Sequence, residues 1–217
     1  MLRSLTDLVL PSLCVVCGRG ATAFCRACRE GVAPIDSLPF GPIEVRVAGA
    51  YDGALRTAVL AFKSGRRDVG TALADFVAQR WTAPEGIVLV PVPTAPARRD
   101  RRGFDQAVFL ARELGRHGGV PALAALRRVG SDSQNGRPRA ARLEATGRFA
   151  VVCSRGLLGG ARAVVVDDVV TTGATLRDAA ATLARAGIEV AGAVAIARAF
   201  PRQPAAAAAS VEAGPGL

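Results

Sequence analysis

The stretch AVVVDDVVTTGATL, residues 163–176, ends an apolar run in two adjacent carboxylates, Asp167 and Asp168, and follows them at once with small and hydroxylated residues. The apolar run reads as a buried strand, and open α/β sheets take ligands at the carboxyl ends of their strands. Thr171, Thr172, Gly173, Ala174 and Thr175 then turn into an expected helix. Backbone N–H groups at such a turn, with the helix dipole behind them, form an anion site. Gly173 lets the backbone come close, and the three threonine hydroxyls add donors without bulk. Beside a phosphate cradle, two carboxylates are acceptors for neighbouring hydroxyl groups, and a phosphorylated sugar supplies both parts. An Asx turn with solvated acids explains an arbitrary Asp pair better than it explains this whole pattern. Carboxylates holding Mg²⁺ for a nucleotide hydrolase would be accompanied by a GxxxxGK(S/T) loop, which the sequence lacks.

A second constellation lies near the amino terminus. Cys14 and Cys17 form one CxxC pair, Cys25 and Cys28 another, with seven residues between them. Each CxxC turn points two sulfurs at one ion, so the two complete a tetrahedral four-thiolate site of the compact zinc-ribbon kind. Two buried or disulfide-bonded pairs are the weaker alternative. Such a zinc ion is structural, because four thiolates leave no open position for substrate, and so short a unit depends on metal to fold. Cys153, at the end of an apolar stretch, is expected in the core.

The elements that must position these residues follow from pattern. Half of the 217 residues are hydrophobic, as in a globular chain with one good core and a small appendage. Residues 1–33 make the Cys-rich zinc-ribbon unit, 34–43 a Pro/Gly-rich linker, 44–200 an α/β domain, and 201–217 an unstructured tail. Within the domain, VRVAGAYDG reads as a strand and turn. ALRTAVLAFKSG reads as a helix with Leu55, Val59 and Phe62 on one face, and DVGTALADFVAQRW as a second helix reaching Arg80. GIVLVPVP is a strand, FDQAVFLARELGRHG a helix, RFAVVC and RAVVVDD strands, TLRDAAATLARAG a helix, and IEVAGAVAIARAF a last strand. ALAALRRV fits a short strand or a helix. This alternation predicts a parallel sheet covered by helices on both faces.

The formal charge is +10, and Lys63 is the only lysine, so the excess is arginine. Arginine's planar fork suits phosphate, although an Ala/Arg/Gly-rich composition produces the same excess. Asp7 interrupts the first apolar run and no segment reaches the length of a membrane helix, so a cytoplasmic protein is expected, where metal thiolates outnumber disulfides. His117, the only histidine, falls near a helix end, which argues against a Ser-His-Asp hydrolase.

With these motifs in view, VVVDDVVTTGATL resembles the phosphoribosyl-pyrophosphate motif of type I phosphoribosyltransferases. More closely, the chain resembles the ComF family of bacterial phosphoribosyltransferase-like proteins linked to DNA uptake in natural competence. The double CxxC, YDGALRTAVLAFKSG, VPVP followed by RRDRRGFDQA, and the acidic motif carry the likeness, from Cys14 to about Arg198. The resemblance implies a type I phosphoribosyltransferase fold in which Asp167 and Asp168 hold the ribose and Thr171–Thr175 hold the 5-phosphate. It also implies that the loop after VPVP meets pyrophosphate, making Thr94, Arg98 and Arg102 candidates; a solvated charge run is the alternative. Lys63 is a further candidate, for a phosphate or for solvent. Members of the family usually read RGFNQ, whereas Asp105 stands here in place of the Asn. As a helix N-cap the exchange is neutral; in contact with substrate it would alter specificity. RRVGSDSQNGRPRAARLEATGRF, with Ser131, Gln134 and Arg142, corresponds to a mobile loop that covers the site, although Ala145 stands where an Asn is usual.

The implied activity is Mg²⁺-dependent transfer of ribose 5-phosphate from phosphoribosyl pyrophosphate to an unknown acceptor. Its transition state resembles an oxocarbenium ion and needs no side-chain nucleophile, and the sequence nominates no catalytic base. Two other readings stand beside it. One is a non-catalytic sugar-phosphate sensor or scaffold, with DNA-uptake machinery as partner. The other is a zinc-ribbon module binding single-stranded DNA, for which stacking aromatics are scarce: Tyr51 and Trp81 are each the only residue of their kind.

Overall fold

The computed structural model describes residues 12–20, 22–35, 37–129, 147–153, 156 and 160–200. In chain order the elements are α1 (Arg26–Glu30), β1 (Leu38–Phe40), β2 (Ile43–Ala50), α2 (Gly53–Lys63), α3 (Arg67–Ala78) and β3 (Ile87–Pro91). There follow α4 (Pro96–Arg102), α5 (Gln106–Gly118), β4 (Leu126–Arg128), β5 (Phe149–Val151), β6 (Arg162–Val170), α6 (Ala174–Arg185) and β7 (Val190–Arg198).

One five-stranded sheet, in the order β1-β2-β7-β6-β3, organises the molecule. The pairs β2·β7, β7·β6 and β6·β3 are parallel, and β1 closes one edge as an antiparallel hairpin with β2. Parallel strands buried on both faces need apolar residues at every position, and β3 is buried throughout. Period-two alternation then divides the residues between two clusters. Leu89, Val164, Val166, Val194 and Ile196 pack with α2, α3 and α5. Val45, Val88, Val90, Val165 and Ala195 pack on the other face with α6 and with a small antiparallel β4-β5 sheet.

The helices form where the apolar spacing predicts. Leu55, Val59 and Phe62 of α2 are fully buried, as are Leu73, Phe76 and Val77 of α3. Gly70 lets the two helices approach: a Cβ there would lie 2.4 Å from the Phe62 ring.

Several expectations need correction. The supposed linker, 34–43, contains β1 and the first residue of β2, so it is part of the sheet edge. The segment after β3, expected as a loop, winds into α4 over the arginine run. A helix of that kind carries no apolar period to read: Pro96 starts it, Gly103 at φ +73° ends it, and none of its residues is buried. RFAVVC joins β4 instead of the main sheet, and ALAALRRV resolves into β4. Helix α3 stops at Ala78, before Arg80. Cys153 is half-buried against the second cluster. The expected mobile loop, with Ser131, Gln134, Arg142 and Ala145, and the 201–217 tail lie outside the described residues. Among the described residues no helix is long and apolar enough to cross a membrane.

The Cys-rich unit shares the first cluster with the α/β domain. Ala23, Phe24 and Val32 are buried in it, and Phe24 meets Phe76 of α3 edge to face at 5.6 Å.

Candidate functional site

A cavity of about 380 Å³ opens at the carboxyl ends of the parallel strands. Tyr51 enters it from the end of β2, Val92 to Thr94 from the end of β3, Asp167 to Val169 from β6, Thr171 from just past it and Ala199 from the end of β7. This is where backbone and side-chain groups converge in any open parallel sheet, since the helices return to the other end.

Alternation along β6 turns the two acids to opposite faces. Asp168 meets Lys63, at the last turn of α2, with Nζ to Oδ2 at 3.0 Å. Asp167 shares the parity of Val165 and faces the side where Arg128 of β4 lies. Its carboxyl is pushed up to about 8, first by loss of water and then by the Asp168 carboxylate. The backbone N–H of Asp168, donating to Oδ1 at 2.8 Å, and the charges of Lys63 and Arg128 only partly offset this. Arg128 donates from Nε to the Pro93 carbonyl at 3.0 Å and lies over the Phe149 ring. Burial, together with Arg98 and Arg148, lowers its pKa. A partly buried guanidinium with no carboxylate pair among the described residues is suited to an anionic ligand.

The turn after β6 has the geometry of an anion cradle. Gly173 sits at the N-cap of α6 with φ +71°, and a Cβ there would fall 2.1 Å from the Phe40 ring. Because glycine offers no capping side chain, N–H groups of the first helical turn stay available to a ligand. Among the described residues, the side chain that approaches them is Thr172, whose Oγ1 accepts from the Ala174 N–H at 3.4 Å. Arg177 fastens the turn by donating to the Thr172 carbonyl at 2.9 Å, and Arg148 reaches Thr175 Oγ1 at 3.3 Å.

Of the residues singled out by sequence, Lys63, Thr94, Arg98, Arg102, Asp167, Asp168, Thr171 and Thr175 all line this one cavity. Thr172, Gly173 and Ala174 form the turn beside it without lining it. Tyr51 and Arg128 line it too; the sequence marked Tyr51 only as a scarce aromatic and gave Arg128 no role. The signal for Tyr51 is its place just past a parallel strand; Arg128 had none, because β4 was ambiguous. Asp105 does not line the cavity: it caps α5, accepting from Ala107 and Val108. His117 lies elsewhere, its Nε2 2.7 Å from Asp75 Oδ1.

The four cysteine sulfurs, Cys14, Cys17, Cys25 and Cys28, lie within 4.8 Å of one another, with Cys17 and Cys25 at 3.6 Å. A tetrahedral zinc ion with Zn–S bonds of about 2.3 Å needs S···S edges of about 3.8 Å, so the set fits zinc. The backbone adapts to the first CxxC turn: Gly18 takes φ +69° and its N–H donates to the Cys14 carbonyl. Burial raises the Cys14 thiol, but backbone N–H groups of Cys25, Cys17 and Val16 outweigh it and bring it down to about 6, whereas burial and the neighbouring sulfurs push the Cys28 thiol up.

These geometries agree with what comparison with known proteins finds. The chain matches the phosphoribosyl transferase domain family over residues 99–210. It is 30% identical over 192 residues to Competence protein ComFC of Bacillus subtilis, covering 85% of this chain and 77% of that protein. It is 32% identical over 109 residues to Competence protein F of Haemophilus influenzae, covering 49% and 47%. Among solved structures, the allosteric regulatory enzyme of purine biosynthesis aligns over 59% of this chain and 25% of its own at 23% identity, with a TM-score of 0.40, too loose a likeness to carry weight. On the family match and the long alignment with the Bacillus protein, the chain belongs to the ComF family of phosphoribosyltransferase-like proteins, with a four-cysteine unit at its amino-terminal end.

Proposed function

We propose that the protein binds phosphoribosyl pyrophosphate together with Mg²⁺ and transfers ribose 5-phosphate to a nucleophilic acceptor. One observation carries the reading: the acidic pair, Thr171 and Thr175 on either side of the α6 turn, and the arginines of α4 all line one cavity, although α4 is distant from the others in sequence. The α6 turn takes the 5-phosphate through its N–H groups and Thr171 and Thr175. Asp167 and Asp168 accept hydrogen bonds from the ribose hydroxyls. Arg98, Arg102 and the Thr94 segment receive the pyrophosphate, with Lys63 held over Asp168 at the boundary between the two ends. When bound, Mg²⁺ neutralises charge on the pyrophosphate.

In the transfer itself, the bond from ribose C1 to the pyrophosphate oxygen breaks and pyrophosphate leaves with the electron pair. The acceptor's lone pair forms the new bond to C1, and the acceptor loses a proton. Cationic side chains around the leaving group stabilise the charge that develops there. Zinc held by Cys14, Cys17, Cys25 and Cys28 is structural. By kinship with the Bacillus and Haemophilus proteins, we extend the competence association to this chain.

Release of pyrophosphate, screened over nitrogen acceptors with Mg²⁺ present, tests the catalytic step. Acceptor-dependent release supports transfer. Tight binding of phosphoribosyl pyrophosphate without release under any acceptor would leave a sugar-phosphate sensor instead.

A further inference from the structure

The segment from Thr94 to Asp105 leaves the end of β3, runs as α4 beside the cavity and returns to start α5. It delivers Arg98 and Arg102 to the site but buries no side chain of α4, so packing alone does not fix it. Phe104, packed on Phe62 and Phe109, seats its returning end, and the Asp105 carboxylate ties that end to its start. Oδ1 caps α5, accepting from the N–H groups of Ala107 at 3.1 Å and Val108 at 3.2 Å. Oδ2 accepts the backbone N–H of Thr94 at 2.8 Å, at the other end of the excursion. Although five arginines lie within seven residues of it in sequence, Asp105 forms none of the ion pairs found among the described residues. Its two oxygens are used on three backbone donors. A second tie, Arg102 Nη1 to Gln106 Oε1 at 2.9 Å, holds the returning strand of the excursion.

From this geometry we infer that Asp105 is a positioning residue: its carboxylate clasps the base of the α4 excursion and so pre-sets Arg98 and Arg102 for the pyrophosphate end of the ligand. The inference deepens the proposed function and rests on it for the ligand's identity. The chemistry is specific to a carboxylate. Asparagine caps a helix as well as aspartate does. Its second polar atom, however, is an NH₂ group, which cannot accept from the Thr94 N–H. Asp105→Asn therefore separates the clasp from the cap, and Asp105→Ser, also a good cap with a single oxygen, does the same independently.

Two measurements on the full-length, zinc-loaded protein test it. The first needs no ligand: hydrogen exchange of the backbone amides, wild type against both variants. Faster exchange across residues 94–104 with unchanged protection in α5 is expected; unchanged exchange across 94–104 would overturn the clasp. The second compares phosphoribosyl pyrophosphate with ribose 5-phosphate, both titrated with Mg²⁺. Loss of one charge-assisted hydrogen bond that orders the segment is expected to weaken phosphoribosyl pyrophosphate roughly tenfold in both variants. Ribose 5-phosphate, which lacks the pyrophosphate, keeps its affinity. Equal losses for both ligands, or none for either, would overturn the positioning role. If wild type binds neither sugar phosphate, the proposed function falls and the ligand role of Asp105 falls with it, whereas the exchange result stands or fails by itself.

Discussion

Asp167 carries the largest electrostatic cost of the site without ligand. A carboxyl whose pKa is raised by folding supports stability in its protonated form, and loses that support as pH climbs from the ordinary carboxylate range, near 4, through about 8. Asp167→Asn is therefore expected to stabilise the ligand-free protein at pH 8, by on the order of 1 kcal/mol or about 2–4 °C in Tm. The gain should shrink as pH falls toward 5, and thermal melts across that range check it. A gain that grows toward acid pH would contradict the assigned electrostatics. Gly173 is constrained in a different way, by its positive φ and by the Phe40 ring pressed against it. Gly173→Ala is expected to cost at least about 2 kcal/mol and to abolish ribose 5-phosphate binding, read by melting temperature and titration together.

At the scale of elements, the four-cysteine unit and the α/β domain depend on each other, because Phe24 and Val32 belong to the same apolar cluster as α2 and α3. Chelating the metal is expected to lower a single cooperative melting transition of the whole protein, not to melt the amino-terminal unit alone. Phe24→Ala, which empties the contact with Phe76, should cost about 3–5 kcal/mol even with zinc bound. Calorimetry distinguishes one transition from two. The elements differed in how readable they were. Helices α2, α5 and α6 and strands β6 and β7 each bury a face, and burial imposes the period that sequence displays. Helix α4 and strand β1 bury little and are held by Pro96, Gly103 and hairpin pairing, so no period marks them. Strand β5 reads like its neighbours in composition, and only its pairing with β4 sets it outside the main sheet.

At the scale of the molecule, the site is a product of topology. Asp167, Asp168 and the α6 turn were legible because they are contiguous and their chemistry is complete within a dozen residues. Tyr51 and Arg128 reach the same cavity only because β2 lies two strands from β6 and β4 folds over the opposite face, relations that no local pattern encodes. The central claim is that this convergence forms a sugar-pyrophosphate site, and titration calorimetry with phosphoribosyl pyrophosphate tests it most directly. Saturable, Mg²⁺-dependent binding is expected in the wild-type protein, weakened roughly a hundredfold in Asp167→Asn/Asp168→Asn, because each amide keeps one acceptor oxygen and turns an NH₂ donor toward the ribose hydroxyls. No binding by the wild type, or equal binding by the double variant, would contradict the account.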